Sequence, residues 1–247
     1  MRTVLITGGT GIIGKTLVKQ LIHDGYKVVF TSRSKEKALE VFEKEGITLD
    51  ITSIIEVDFN SPEALSEIKN QLEYDVDAVI HNARTIDSLK VNEKGRVTSR
   101  QFEQEMHMGI TFPYELTNAL LDWGNDLRDV IFISSMYGIV APTPSLYTDF
   151  HQQSPINYGV VKAAQVHLTK ELAVRLAEKN TRVNCVTYGG VEGRADEDFK
   201  KRYAQLNPMN RMLNDKDIYP PIQYVLNNPD LCITGENIKV DGGWTLW

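Results

Sequence analysis

The segment Thr7-Gly8-Gly9-Thr10-Gly11-Ile12-Ile13-Gly14 constrains this chain more than any other. It follows directly on a β-branched apolar run over residues 3–7 and leads into an amphipathic stretch over 14–24. Glycines spaced as Gly8, Gly11 and Gly14 let the backbone turn sharply from strand to helix. They also let a pyrophosphate approach the helix N-terminus, where free amides and the helix dipole favour an anion. A glycine-rich loop alone is weak evidence and can be a plain tight turn, but its place between a first strand and a first helix is the context a dinucleotide site requires. The expected contacts are Gly8, Thr10, Gly11, Ile12 and Ile13.

The same alternation continues. Short β-branched runs predict strands over 27–31, 54–58, 78–81, 130–134, 182–187 and 237–240. Helical patterns lie between them over 35–44, from an N-terminal Ser61-Pro62-Glu63 signal onward, over 102–123 and over 158–179. Strand–helix–strand repetition of this kind specifies an α/β, Rossmann-type doubly wound parallel sheet of about seven strands with helices on both faces. Its ligand crevice lies beyond the carboxyl ends of the strands. No repeat or flexible linker divides the chain, so residues 1–247 are expected to form a single domain. Two stretches should elaborate the site: 136–157, interrupted by Pro142, Pro144 and Pro155, and a charged lid over 190–212.

Composition narrows the partners. A 42% apolar, 24% charged chain falls in the range of ordinary globular proteins. A net charge of -6 without a basic run excludes a nucleic-acid backbone as main partner. No apolar stretch is long enough to span a membrane, and the expected compartment is the cytoplasm. Cys185 and Cys232 sit in apolar segments without a CxxC, which predicts buried reduced thiols and no metal site.

About 20 residues past the glycine loop, the position that reads the adenosine ribose falls in Thr31-Ser32-Arg33-Ser34. No carboxylate occurs before Glu36, and the Arg33 guanidinium suits a 2′-phosphate, so NADP(H) is favoured over NAD(H), with Ser32 and Arg33 as contacts. The plainer alternative for Arg33 is a solvated surface residue.

Ser135 follows the fifth predicted strand, and Tyr158 and Lys162 stand four apart on a predicted helix, which places phenol and ammonium on one face. A Tyr-x-x-x-Lys alone means little. With the glycine loop and the strand-end serine in this order, the chain resembles the short-chain dehydrogenase/reductase family over nearly its whole length. The resemblance extends to Asp58, to His81-Asn82-Ala83-Arg84, to Arg182-Val183-Asn184 before Gly189-Gly190-Val191, and to Ile233-Thr234-Gly235 and Val240-Asp241-Gly242-Gly243.

The resemblance implies an oxidoreductase acting on an alcohol or carbonyl, with catalytic residues Ser135, Tyr158 and Lys162. A phenol titrates near 10 and works near neutrality only beside a cation, the role implied for Lys162, which would also bind the nicotinamide ribose. By the same resemblance Asp58 and Phe59 meet the adenine, Asn82 and Ala83 flank the adenosine ribose, Gly189 and Val191 lie against the nicotinamide amide, and the chain forms a homodimer or homotetramer. A small molecule, with a sugar or sugar derivative as one candidate, is the expected substrate. Two other readings stand beside this one: a non-catalytic dinucleotide-binding sensor or scaffold, and a sugar-nucleotide epimerase or dehydratase, suggested by a glycine spacing more usual in extended members of the family.

Several positions depart from the family pattern. The helix that usually carries a relay asparagine has Gly109 there, with His107 near by either as a candidate replacement or, the plainer alternative, as a surface histidine. Arg84 stands where a glycine is usual and Tyr188 where proline is common. Ser135 and Tyr158 are 23 positions apart, a long spacing, and the intervening residues include Tyr147, Asp149 and His151.

Overall fold

The computed structural model describes residues 1–50, 53–193 and 195–247. Its strands are β1 (Thr3–Ile6), β2 (Lys27–Ser32), β3 (Ile54–Glu56), β4 (Ala78–His81), β5 (Asp129–Ser135), β6 (Arg182–Tyr188) and β7 (Asn237–Val240). They form one sheet in the order β3-β2-β1-β4-β5-β6-β7. Every pairing is parallel, with Val4 opposite Val28 on one side and Ala78 on the other. The chain leaves β1 toward one edge and returns at β4 to build the other half, so the switch point lies between β1 and β4, where such folds place their ligand crevice.

Because side chains alternate along a strand, the sheet supplies two cores. Val4, Ile6, Ile131 and Ile133 face one cluster, which α1 (Ile12–His23) and α9 (Asp215–Leu226) cover with Leu17, Leu21, Ile218 and Ile222. Leu5, Val79, Val130 and Phe132 face the other, closed by Phe112, Leu116, Leu172 and Leu176. Those residues come from α5 (Phe112–Asp122) and α7 (Ile156–Leu176). The remaining helices are α2 (Lys35–Glu43), α3 (Ala64–Gln71), α4 (Ser99–Met106), α6 (Phe150–Gln153) and α8 (Glu197–Leu206).

Three local expectations are corrected, and one helix was not foreseen. Ser61, Pro62 and Glu63 precede α3 as a turn closed by the Ala64 N–H donating to the Ser61 carbonyl, so Ser61 is no helix cap. The predicted helix 102–123 begins earlier, at a Thr98/Gln101 capping box, and is interrupted by a π turn over His107–Thr111. α9 is a crossover helix that the pair Pro220-Pro221 hides from a pattern reading, since prolines remove donors in a helix interior. Cys185 is buried and Cys232 is exposed, so only the first fits the expected buried thiol.

Among the described residues no helix is long and apolar enough to cross a membrane, and no cluster of three or more His, Cys, Asp and Glu side chains is set to hold a metal.

Candidate active site

The glycine loop at the switch point divides into two kinds of glycine. Gly8 has φ +72°, which favours glycine, and a Cβ there would lie 2.9 Å from Ala83 Cα. A Cβ on Gly9 would enter the Phe30 ring at 2.3 Å, and one on Gly14 would meet the Gly8 carbonyl oxygen at 2.2 Å. These three are required by the protein's own packing. Gly11 is different: a Cβ there would meet nothing closer than the Gly8 oxygen at 3.7 Å. Gly11 also caps α1 without any side chain to satisfy the first-turn amides, and that turn carries no acid. A helix end with open amides, no opposing charge and no side chain at its cap fits a pyrophosphate.

Thr7 and Asn82 clamp this loop across the switch point. Thr7 Oγ1 accepts from the Asn82 and Ala83 amides at 2.9 and 3.0 Å. The Asn82 side-chain amide donates to the carbonyls of Thr7 and Gly8, both at 3.0 Å. Asn82 and Ala83 therefore stand against the glycine loop.

The other cofactor candidates are placed less uniformly. Ser32 Oγ donates to the Ser34 carbonyl at 2.9 Å, and Ser34 caps α2. Arg33 is exposed between them, close enough to Asp87 to help lower its carboxyl pKa, and salt-bridged to none of the described carboxylates. Asp58 is exposed and accepts from the Asn60 amide at 3.0 Å. The Phe59 ring is buried and stacked on Phe112 with centroids 4.1 Å apart, so that ring belongs to the core and is not free for adenine. Gly189 lies tight against Tyr203 and Asp241, and Val191 bridges to Leu213, where the lid segment returns to the sheet. Tyr188 points inward, its buried hydroxyl donating to the Ile218 carbonyl.

Ser135 ends β5, buried. Its Oγ accepts the Tyr137 amide at 3.3 Å, which leaves its own O–H free to donate. The turn Met136–Gly138 that follows packs on α7, because a Cβ on Gly138 would lie 2.7 Å from the Lys162 carbonyl. Tyr158 is half-buried on α7, and its hydroxyl has no hydrogen bond among the described residues. Lys162, one turn on, is buried, and its Nζ lies 5.8 Å from the Tyr158 ring centre. That ammonium donates to the Ile133 carbonyl at 2.7 Å and to Gln165 Oε1 at 3.0 Å. Burial, followed by the Arg84 charge, pushes its pKa down to about 8. Arg84 is exposed and holds its guanidinium 5.2 Å from the same ring.

The long 136–157 segment forms a wall beside Tyr158. Tyr137 meets the Tyr158 ring edge-on at 6.5 Å, and the Tyr137 and Tyr147 hydroxyls bond at 2.6 Å. Tyr147 packs on Phe150 and on Phe199 of α8. Arg202 of α8 donates to the Leu146 carbonyl at 2.8 Å. Met136, Leu146, Tyr203, Met212 and Trp244 form a third apolar cluster beneath. Loop and lid are thus one packed unit; Arg194 within the predicted lid lies outside the described residues.

His107 does not reach toward Lys162. Its Nε2–H donates to the Phe59 carbonyl at 2.8 Å and its ring stands edge-on to Phe112. The 136–157 segment was expected beside the site, but the sequence singled out neither Gln165 nor Tyr137. The i, i+3 spacing of Lys162 and Gln165 was the signal available for Gln165.

A strand-end hydroxyl, an unpartnered phenol and a buried ammonium beside an anion cradle are the parts of a Rossmann-fold oxidoreductase site. The chain belongs to the short-chain dehydrogenase/reductases: a family described as enoyl-(acyl carrier protein) reductase matches residues 10–245. Sorbose reductase SOU1 of Candida albicans is 27% identical over 252 residues, covering 97% of this chain and 85% of that one. A short-chain dehydrogenase from Leptospira borgpetersenii, solved with bound NAD+, superposes with a TM-score of 0.78 at 24% identity, over 99% of this chain and 92% of its own. ElxO, solved with NADP bound, gives 0.80 at 24% identity, over 100% and 99%. The chain is an oxidoreductase of this family, and the matches favour neither the scaffold nor the epimerase reading.

Proposed function

We propose that this chain is an NADP(H)-preferring reductase or dehydrogenase that interconverts an alcohol and a carbonyl on a sugar or sugar derivative. The observation that carries the reading is that two cations stand within 6 Å of the Tyr158 ring centre, Lys162 buried and anchored to β5 at 5.8 Å and the exposed Arg84 at 5.2 Å. Gly8, Thr10, Gly11, Ile12, Ile13, Asn82 and Ala83 hold the dinucleotide, with Gly189 and Val191 toward the nicotinamide. The nicotinamide supplies hydride acceptance or donation.

The protein supplies the rest. The free Ser135 O–H donates to the substrate oxygen and fixes the carbonyl carbon toward the cofactor. The Tyr158 hydroxyl, unbonded among the described residues, exchanges a proton with that oxygen. Lys162 keeps one donor in reserve, two being taken by Ile133 and Gln165.

Exposed and without a salt bridge among the described residues, Arg33 suits a 2′-phosphate better than the bare ribose of NAD. The sugar assignment is supported by the wall beside Tyr158, where the hydroxylated rings of Tyr137 and Tyr147 and the guanidinium of Arg84 offer polar and aromatic contacts to a polyhydroxylated molecule.

Fluorescence titration with NADPH and NADH, run beside Arg33→Ala, tests the cofactor. Tighter NADPH binding, weakened selectively in the variant, is expected; a preference for NADH would refute the role of Arg33. Turnover of ketoses with NADPH, abolished in Tyr158→Phe, tests the reaction.

A further inference from the structure

We propose that Gln165 is a positioning residue for Lys162: its side chain links the lysine ammonium directly to the Gly109 carbonyl in the π turn and so fixes the cation beneath Tyr158. The inference rests on the reading that Lys162 serves the Tyr158 proton transfer.

Lysine carries its charge on a flexible four-carbon stem and needs an anchor to act from one place. Lys162 has two, and they come from different elements: the Ile133 carbonyl of β5 at 2.7 Å and Gln165 Oε1 at 3.0 Å. Gln165 is 3% exposed, and its Nε2 donates to the Gly109 carbonyl at 2.9 Å. The amide has one orientation available, because an ammonium only donates and a carbonyl only accepts.

The π turn is shaped for this link. A Cβ on Gly109 would lie 2.3 Å from Val161 Cγ1, so only glycine lets the turn approach α7 so closely. Four residues on, Pro113 has no N–H, which removes the donor an α-helix would aim at the Gly109 carbonyl. The carbonyl is thereby available to a side chain on α7. His107, the sequence-based candidate at this place, is committed to Phe59.

A neutral amide anchors the ammonium without adding charge. The charged and titratable groups that act on Lys162 from the packed elements are Arg84 after β4, Glu105 of α4 and Cys185 of β6, with Tyr158 on its own helix. Replacing the amide by a carboxylate or by an apolar group should therefore move the lysine in opposite directions.

The test is titration of the free protein carrying 13Cε-lysine, with the Lys162 resonance identified as the one missing from Lys162→Met. Gln165→Glu, which keeps the shape but when ionised no longer donates to the Gly109 carbonyl, should raise the Lys162 midpoint by about one pH unit or more. Gln165→Leu should lower it by roughly half a unit, as a hydrogen bond to the charged form is lost. Circular dichroism checks the fold, and if Gln165→Leu does not fold, the Gln165→Glu shift decides alone. A Lys162 midpoint unmoved in folded Gln165→Glu would overturn the proposal, since a purely structural glutamine alters stability and leaves the lysine where it was. No substrate enters the measurement, so failure of the reductase reading would show separately, as lack of turnover.

Discussion

The Arg84 guanidinium lies 5.2 Å from the centre of the Tyr158 ring, close enough for a cation–π contact at the mouth of the site. Its charge also reaches Lys162, where it ranks second to burial among the causes that push the lysine down to about 8. Arg84→Met should therefore raise the Lys162 midpoint, by less than about one pH unit because Arg84 is exposed and its charge is screened. The 13Cε-lysine titration reads it, and an unchanged midpoint would leave burial as the sole cause.

Gly138 is where the turn after β5 touches α7. An alanine there would press its methyl to 2.7 Å from the Lys162 carbonyl carbon and oxygen, both backbone atoms that cannot swing away. Gly138→Ala should cost about 1–3 kcal/mol in urea unfolding. A variant as stable as the parent would show that the turn can shift off the helix.

The two classes of glycine in the cradle separate folding from binding. Gly11→Ala meets only an ordinary contact at 3.7 Å and keeps an allowed φ of −71°, so unfolding should change by about 0.5 kcal/mol or less. NADPH affinity should fall by about tenfold or more, because the methyl occupies the approach to the helix amides. Gly14→Ala drives its methyl to 2.2 Å from the Gly8 oxygen and should lower Tm markedly. Equal losses of stability in the two variants would contradict this division.

His81 makes the fold sensitive to acid. It is fully buried against Phe132, its Nε2 bonded to Thr117 and its Nδ1 without a partner among the described residues, and burial lowers its pKa from 6.5 to about 3. Between those values the unfolded chain takes up a proton that the native protein refuses, so stability is lost as pH falls below 6.5. The slope attributable to His81 approaches about 1.4 kcal/mol per pH unit. Urea unfolding at pH 7, 5.5 and 4.5 should show a shallower decline for His81→Asn, whatever its stability at neutral pH.

The strands and the glycine loop were legible because the rules that produce them are local. An apolar run of four to seven residues between turn signals reads as a buried parallel strand, and all seven lie within three residues of their expected limits. Ser135, Tyr158 and Lys162 were legible as a set through their order along the chain. The burial of the Phe59 ring was not legible, because nothing nearby in sequence announces Phe112, the ring it stacks on. α9 was missed because two prolines imitate a loop, while Ile218, Ile222 and Val225 bury its face regardless.

Residue types and spacings alone determined the alternating α/β architecture, the glycine-rich strand-to-helix turn at Gly8 to Gly14 and the candidate hydroxyl, phenol and ammonium, since each depends on neighbours a few positions away. Only the tertiary structure decided which glycines face the protein and which face outward, that Arg84 shares the Tyr158 ring with Lys162, and that Gln165 and not His107 reaches the lysine. The physical reason is distance along the chain: Lys162 finds Ile133 29 residues away and, through Gln165, Gly109 56 residues from that glutamine, contacts that exist only once β5, the π turn and α7 are packed together.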